Sequence, residues 1–418
     1  MEKLIKWATV FCLFGISSAV FLLLASPTED PLTGERIMQE TPLWYNLYGV
    51  SFLVVAVLLI ASKIDKVLSF VYANKLLLLL LIYMLASCVW ALDPWLSFID
   101  AYKTIIAVLF GFFLATRFSA KELLSILCIT MGIMVVSSFV IAIFLPEYGV
   151  HQTGYVGAWR GAWGHKNQLA IRMNIAFVTF VMAAVHFKKS RQVYAFFAFL
   201  AATLVVLSQS GTGICILLLI IFSPLYLLFL RLHGALVITL ALTLLCLGGL
   251  IYILAGEPDI STMFLIALDK DPTLSGRTET WQGVLYALTD YRSSHAIFGY
   301  GAQPWQMTTH GQIITEHVED SITVDNVYMD VLLKYGLVGS VPCALVLYQG
   351  LSIALEQLKT RVSVLSNFYI VVMLIMFING ISENVDTVRL LWTFFALTLA
   401  SPYIRDDKKP GKFEKKYA

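Results

Sequence analysis

Charged residues are scarce in this sequence. They make up 13% of its 418 residues, while 59% of the residues are hydrophobic. A water-soluble domain of this size carries about 25% charged residues, so the deficit is too large for a surface that faces water on all sides. The formal net charge of +2 supplies no overall positive field, and we therefore expect no nucleic-acid partner.

Paired cysteines and common catalytic motifs are missing as well. All six cysteines lie inside apolar runs and none has a CxxC spacing, which is typical of small buried hydrophobic residues. The sequence has no Walker A loop, no GxSxG and no HExxH motif. Asp269 and Asp271 form a DxD, but no other ligand residue clusters near them. We therefore predict no metal and no cofactor.

Long apolar runs are what the sequence has in abundance. A bilayer core of about 30 Å requires about 20 apolar residues in a helix. Runs of about this length occur along the whole chain, near 5–25, 44–62, 76–92, 104–118, 123–145, 168–187, 192–208, 212–230, 234–255, 328–352, 365–380 and 388–404. We predict an all-α polytopic membrane protein with about twelve transmembrane helices and a long loop between helices nine and ten.

These runs divide the chain into four parts. Residues 1–255 carry helices one to nine, 256–327 form the loop, 328–404 carry helices ten to twelve, and 405–418 form a basic tail. Lys and Arg concentrate in alternate short loops and in this tail, which places those loops and both termini in the cytoplasm. The long loop then lies on the outer side.

Two outer segments combine basic groups, histidines and tryptophans. The first, residues 154–172, leads into helix six and holds Arg160, His165, Lys166, Asn167 and Arg172. Free backbone N–H groups and the dipole at a helix start attract anions, and the arginine fork suits phosphate. We predict an anion site here, with Trp159 and Trp163 at headgroup depth or against a sugar. The alternative is a basic loop that only touches lipid headgroups.

The second segment is the loop itself. Residues 277–290 have the period of an amphipathic helix, with an apolar face formed by Trp281, Val284, Leu285 and Leu288. A Gly-rich aromatic turn at 298–305 follows, and it includes Tyr300. We predict that Trp281 and Tyr300 contact the substrate.

The stretch that leads from this turn into helix ten holds candidates for a general base. They are His317, Glu319, Asp320 and Asp325. Histidine titrates near neutral pH unaided, whereas a carboxylate needs a raised pKa or close positioning. Asp325 is equally a candidate N-cap of helix ten.

These pieces together resemble the O-antigen ligase and the O-antigen and exopolysaccharide polymerase superfamily, with the succinoglycan-type polymerases as the nearest branch. The resemblance covers most of the chain and rests on short motifs in a fixed order: DPWLSFIDAYKT (93–104), PEYGV (146–150), WRGAWGHKNQLA (159–170), SQSGTG (208–213), SGRTETW (275–281), GYGAQPW (299–305) and DNVYMDVLLKYGLVG (325–339).

The resemblance implies glycosyl transfer at the periplasmic face of the bacterial inner membrane. The donor is a glycan on a polyprenyl diphosphate, the acceptor is a sugar hydroxyl, and no nucleotide or metal takes part. Departure of the diphosphate requires positive charge, which assigns Arg160, Arg172 and Arg277 as its ligands. A flippase and a chain-length regulator are the implied partners.

One departure from the family pattern concerns the base. Many relatives have His-Asn where this chain has Asp325-Asn326. Either Asp325 is the base or His317 acts from nearby, and Asn326 belongs to the substrate site. We expect a polymerase, with a ligase that transfers glycan to lipid A-core as the second reading. A polysaccharide transporter or flippase is the third, although its charges should lie deep in several helices that include broken pairs.

Overall fold

The computed structural model describes residues 2–16, 43–222, 281, 284, 285, 288, 293–301, 324, 326–360, 365–382 and 389–404. Within these ranges the chain is helical and contains no β-strand, and one isolated bridge joins Val150 to Trp159. The α-helices in chain order are α1 (Glu2–Ile16), α2 (Leu43–Ala61), α3 (Ile64–Ala73), α4 (Lys75–Ala86), α5 (Pro94–Arg117), α6 (Ala120–Phe144), α7 (Pro146–Gly149), α8 (Lys166–His186), α9 (Arg191–Leu207), α10 (Gly211–Ile221), α11 (Ser293–Phe298), α12 (Val327–Thr360), α13 (Ser366–Ser382) and α14 (Arg389–Ala400).

Several of these helices suit a membrane. In the described part of the chain, five helices are long and apolar enough to span one, and six if the bent pair α2 and α3 is a single span. In the residues described, an all-helical architecture with helices able to span a membrane is therefore confirmed. The count of twelve and the position of the long loop remain predictions, and the predicted run at 234–255 lies outside the described residues.

Helix α3 was not predicted as a helix. The sequence places Lys63 and Lys66 in a cytoplasmic loop, whereas residues 64–73 form a helix that bends by 83° from α2. Its buried side chains, Val67, Phe70 and Val71, follow the i, i+3, i+4 pattern of one helix face. Because Lys63, Asp65 and Lys66 lie beside these residues, the average hydropathy of the segment is low and does not reveal so short an apolar pattern.

Helix α5 is longer than its apolar run predicted. The run at 104–118 looked short for a span, but the helix covers the 24 residues Pro94–Arg117. It begins earlier because the Asp93 carboxylate accepts a hydrogen bond from the Leu96 amide and Pro94 occupies the first helical turn. Asp100 breaks the apolar run in the sequence but does not end the helix, because its side chain is buried against the rest of the protein.

The centre of the bundle is the contact between α5 and α14. Lipid tails are as apolar as phenylalanine, so close packing and hydrogen bonding stabilise such a contact more than exclusion of water does. Gly111 lets the backbones approach, because a Cβ there would lie 2.3 Å from the Thr393 carbonyl oxygen. The Thr393 hydroxyl donates to the Ala107 carbonyl oxygen at 3.0 Å.

One end of the bundle carries most of the buried polar groups, and we call it the polar end. There α6 and α13 finish, and α5, α8, α12 and α14 begin. Hydrogen bonds tie these segments together: the Arg160 amide donates to the Gly149 carbonyl oxygen, the Leu92 amide to Tyr300, and the Asn326 side chain to Ile381. Both candidate segments from the sequence reach this end.

Candidate functional site

Two histidines organise the start of α8. The Nε2 atom of His151 accepts a hydrogen bond from the Lys166 amide at 3.1 Å, and Nδ1 of His165 accepts one from the Asn167 amide at 3.4 Å. The two rings lie 5.3 Å apart. His165 is the N-cap of α8. The predicted anion site relied on free amides here, and two of them are already donated to imidazoles.

Arg160 is buried under the loop that precedes α8. Its exposed fraction is 0%, its Nε donates to the Tyr148 carbonyl oxygen at 3.0 Å, and its Nη2 donates to that of Glu147 at 3.2 Å. These bonds fasten the loop to α7. The guanidinium therefore brings positive charge to the polar end and also holds the backbone.

Arg172 lies two turns into α8 and is also fully buried. Its Nη1 donates to the Gln168 carbonyl oxygen at 2.9 Å, and its guanidinium carbon lies 5.2 Å from the centre of the Trp163 ring. A buried charge in a membrane helix is costly and indicates function. Trp163 is buried too, so its ring is covered by protein and is not exposed to lipid headgroups or to a sugar. Its depth in the membrane remains a prediction.

Lys166 is the more accessible cation of this segment. It is half-buried, and its ammonium lies 3.6 Å from the centre of the Tyr155 ring. Tyr155 also packs edge-on against both His151 and His165. The ring thus connects the cation to the histidine pair, while Asn167 is half-buried in the first turn of α8.

The SQSGTG turn supports this segment from the side. Asn174 of α8 donates to the Gly213 carbonyl oxygen at 3.0 Å, and a Cβ on Gly213 would lie 2.5 Å from Cβ of Ala170. The small residues of the turn therefore allow close approach of another helix.

The long loop is described at only a few positions. Arg277, His317 and Asp325 lie outside the described residues, so their predicted roles remain predictions. Trp281, Val284, Leu285 and Leu288 are helical, which agrees with the predicted amphipathic helix.

The face of that helix differs from the prediction. Val284 and Leu288 are buried, but Leu285 is 46% exposed. Its position, one residue after Val284, turns it away from the apolar cluster formed by Val284, Leu288, Tyr300, Val324 and Leu333. Trp281 is half-buried.

Tyr300 is a packing residue of that cluster as well as a predicted substrate ligand. It is 5% exposed and its ring stacks on His295 at 4.2 Å between centres. Its amide donates to the Leu333 carbonyl oxygen, and its own carbonyl oxygen accepts from the Leu92 amide. The backbone of residue 300 thus joins α12 to the segment before α5.

Helix α12 is broken at Gly336, a feature that the sequence analysis missed. Gly336 has φ 60° and ψ −167°, which is not helical. A Cβ there would lie 2.4 Å from the Ile297 carbonyl oxygen. The Gly301 amide and the Tyr83 hydroxyl donate to the Lys334 and Tyr335 carbonyl oxygens that the break releases. The G-x-x-G spacing of Gly336 and Gly339 was the available signal.

Asn326 caps the outer part of α12. Its Oδ1 accepts from the Tyr328 and Met329 amides at 2.9 and 3.1 Å, and its Nδ2 donates to the Ile381 carbonyl oxygen. Asp325 was the predicted candidate for this cap. Because the neighbouring asparagine does the capping, Asp325 is not required for it.

A buried ionic cluster was also missed. The Lys334 ammonium lies 2.8 Å from an Asp330 carboxylate oxygen and 3.6 Å from one of Asp100, and Arg389 lies 3.4 Å from the other Asp100 oxygen. The signal in the sequence was the presence of charges inside apolar runs. Because these charges lie on helices and α12 is broken, charge placement no longer argues against a transporter.

The described residues contain no group of three or more histidine, cysteine or acidic side chains placed to hold a metal ion. At the polar end, the arrangement offers the buried positive charge of Arg160 and Arg172 and the half-buried ammonium of Lys166. It also offers a half-helix capped by Asn326, which follows Asp325 in the sequence. Such a set is suited to an anionic leaving group and a proton acceptor.

Comparison with known protein families finds a match over part of the chain. Residues 196–344 match the family model described as O-antigen ligase. No curated protein matches the chain at a significant level. The matched segment runs from α9 through the long loop to α12, past the break at Gly336, and so includes both Arg277 and Asp325. This match confirms, over residues 196–344, the resemblance of the chain to the O-antigen ligase and polymerase superfamily.

Proposed function

We propose that this protein is a polymerase of lipid-linked repeat units. It transfers a glycan from a polyprenyl diphosphate to a hydroxyl of another sugar, at the periplasmic face of the bacterial inner membrane and without a metal. The product is an exopolysaccharide, a capsule or an O-antigen. The observation that carries this proposal is the O-antigen ligase match over residues 196–344, which supports glycosyl transfer in general.

The donor brings its own leaving group, so the protein needs to stabilise the negative charge of a departing diphosphate. Arg277 and the accessible Lys166 are the proposed contacts. Arg160 and Arg172 add positive charge from beneath the loop, where they are buried. A preorganised donor of this kind contributes about 3 kcal/mol to transition-state stabilisation.

The acceptor hydroxyl loses a proton as it attacks the sugar carbon. Asp325 is the proposed base, with His317 as the alternative. Asn326 fixes the start of α12 beside Asp325. The proposed substrate site also includes His165 and Asn167 at the start of α8. Trp281 and Tyr300 of the long loop complete it.

A ligase is the second candidate, because the matched family model is itself described as O-antigen ligase. The chemistry is the same and only the acceptor differs, namely lipid A-core in place of another repeat unit. Loss of each activity causes a different lipid-linked intermediate to accumulate. A polymerase defect leaves single repeat units on the carrier, whereas a ligase defect leaves long chains on it.

Deletion of the gene and complementation with variants tests the proposal. With Arg277→Ala we expect polymer to disappear while the protein stays in the membrane, and single lipid-linked units to accumulate. Lys189→Ala, an exposed lysine between α8 and α9, is the control and should make polymer of normal length. Normal polymer from Arg277→Ala would refute the diphosphate role, and long lipid-linked chains would indicate a ligase.

The same strain tests the base. Asp325→Asn should also leave single units on the carrier, because an amide cannot accept the hydroxyl proton. Unaffected chain growth would move the base to His317 or to another residue.

A further inference from the structure

The ionic cluster at the polar end links three helices. Asp100 lies on α5, Asp330 and Lys334 lie on α12, and Arg389 begins α14. The side chains of Lys334, Asp330 and Asp100 are 2%, 1% and 7% exposed, and that of Arg389 is 24% exposed. Asp100 forms ion pairs with Lys334 of α12 and with Arg389 of α14. Its carboxylate therefore connects α12 and α14 to α5.

The part of α12 that Asp100 connects to α5 is a short half-helix. The break at Gly336 leaves residues 327–335 as a separate outer half of α12. Isolated helices shorter than about 12–15 residues are marginal even with good helix formers. The orientation of this half-helix therefore depends on its contacts with its neighbours.

Besides the hydrogen bonds that Tyr300, Gly301 and Tyr83 donate to its last carbonyl oxygens, the half-helix makes directional polar contacts with α5 and α13. On one side Lys334 pairs with Asp100 of α5. On the other side two hydrogen bonds reach α13. The Tyr328 hydroxyl donates to the Phe377 carbonyl oxygen at 3.1 Å, and the side-chain amide of Asn326 donates to the Ile381 carbonyl oxygen at 3.2 Å. The half-helix is thus clamped between α5 and α13. Its first residue follows Asn326, and Asp330 lies one helical turn beyond that cap.

We infer that Asp100 is a positioning residue for the transfer reaction. By holding Lys334 and Arg389 it fixes the outer half of α12, and with it Asn326 and the adjoining Asp325, without itself contacting substrate. This inference rests on the proposed function, in which Asp325 accepts the hydroxyl proton. A displacement of about 1 Å at a catalytic group can lower the rate about 100-fold.

The test uses Asp100→Asn in the full-length protein, purified into lipid nanodiscs and supplied with lipid-linked repeat units. The amide keeps the size of the side chain but removes its charge. We measure kcat and KM for the donor, and donor-binding capacity separately, so that the rate is expressed per donor-binding protein. A purely structural defect lowers capacity and total rate together and leaves that ratio unchanged.

We expect the rate per donor-binding protein to fall about 10- to 100-fold, with KM for the donor unchanged. Glu122→Gln is the matched control. Its carboxylate also pairs with a lysine, Lys6 at 3.1 Å, but both side chains are more than 40% exposed and lie at the opposite end of α6 from the polar end. This variant should keep the wild-type rate.

Two outcomes separate failure of the inference from failure of the proposed function. Wild-type protein that does not extend lipid-linked units would overturn the proposed function. Active wild-type protein together with an unchanged rate per donor-binding protein in Asp100→Asn would overturn the positioning role. If Asp100→Asn does not accumulate, Arg389→Gln, which removes the most exposed member of the cluster, is measured in the same way. It should lower that ratio about threefold or more, and an unchanged ratio there overturns the inference.

Discussion

The basic residues before and within α8 differ in what they do, although they are neighbours in sequence. Arg160 and Arg172 are buried and donate to backbone carbonyl oxygens, whereas Lys166 is half-buried over Tyr155. The histidines accept hydrogen bonds from backbone amides. The residue types alone predicted that this segment is basic and forms an anion site. It did not predict which cations hold the loop and which are accessible.

The histidine at 151 offers a test of this division. His151→Phe keeps an aromatic ring against Tyr155 and His165 but removes the acceptor of the Lys166 amide. A buried amide without a partner costs about 1–3 kcal/mol, so we expect a lower midpoint of thermal unfolding in detergent. His186→Phe, at the exposed end of α8, is the control. Equal midpoints for the two variants would show that the bond to Lys166 does not stabilise the loop.

The positions of helices are what the sequence predicted best, but the wrong predictions also concern helices. The predicted runs at 123–145, 168–187 and 192–208 agree closely with α6, α8 and α9, because each is predominantly apolar along its length. The errors occur where polar residues are buried by other helices: α5 begins earlier than its run, and α12 is broken at Gly336. The start of α5 is set locally by Asp93 and Pro94, whereas the break in α12 is accommodated by residues distant in sequence, such as Tyr83 and Ile297.

The break in α12 leads to a prediction for glycine substitutions. Gly336→Ala should strongly reduce the amount of folded protein, because φ is 60° and a Cβ would lie 2.4 Å from the Ile297 carbonyl oxygen. Gly49→Ala in α2 meets no atom within 4 Å and should be neutral, or stabilising by up to about 1 kcal/mol. Membrane yield and the unfolding midpoint distinguish them. A Gly336→Ala protein as stable as Gly49→Ala would mean that the break is not required.

For the whole molecule, the polar end is the proposed periplasmic side. The segments that reach it include the loop after α7, and the opposite end carries the basic turn between α8 and α9. This orientation comes from the distribution of lysine and arginine. The proposed donor chemistry needs it, because the polar end must face the compartment that receives the polymer.

Cysteine labelling checks the orientation. We expect Gln152→Cys, an exposed position after α7, to react with a membrane-impermeant maleimide in cells with a permeabilised outer membrane. Lys189→Cys, exposed between α8 and α9, should react only after the inner membrane is opened. The reverse pattern would invert the orientation and place the polar end in the cytoplasm.

The sequence by itself determined the class of the protein and the family of its chemistry. Composition and apolar run length are local properties, and they required membrane helices. Short motifs in a fixed order led to the O-antigen ligase and polymerase superfamily, which the match at 196–344 confirms. They also marked residues 160–172 and the start of α12 as segments of interest.

Only the tertiary structure decided how those segments are held. The ion pair between Asp100 and Arg389 joins residues 289 positions apart, and no local pattern encodes such a pairing. The outward position of Leu285 and the burial of Trp163 depend equally on which helices pack beside them. A charge in an apolar run can mark either the end of a helix or a buried partner, and that choice is made by the neighbouring helix.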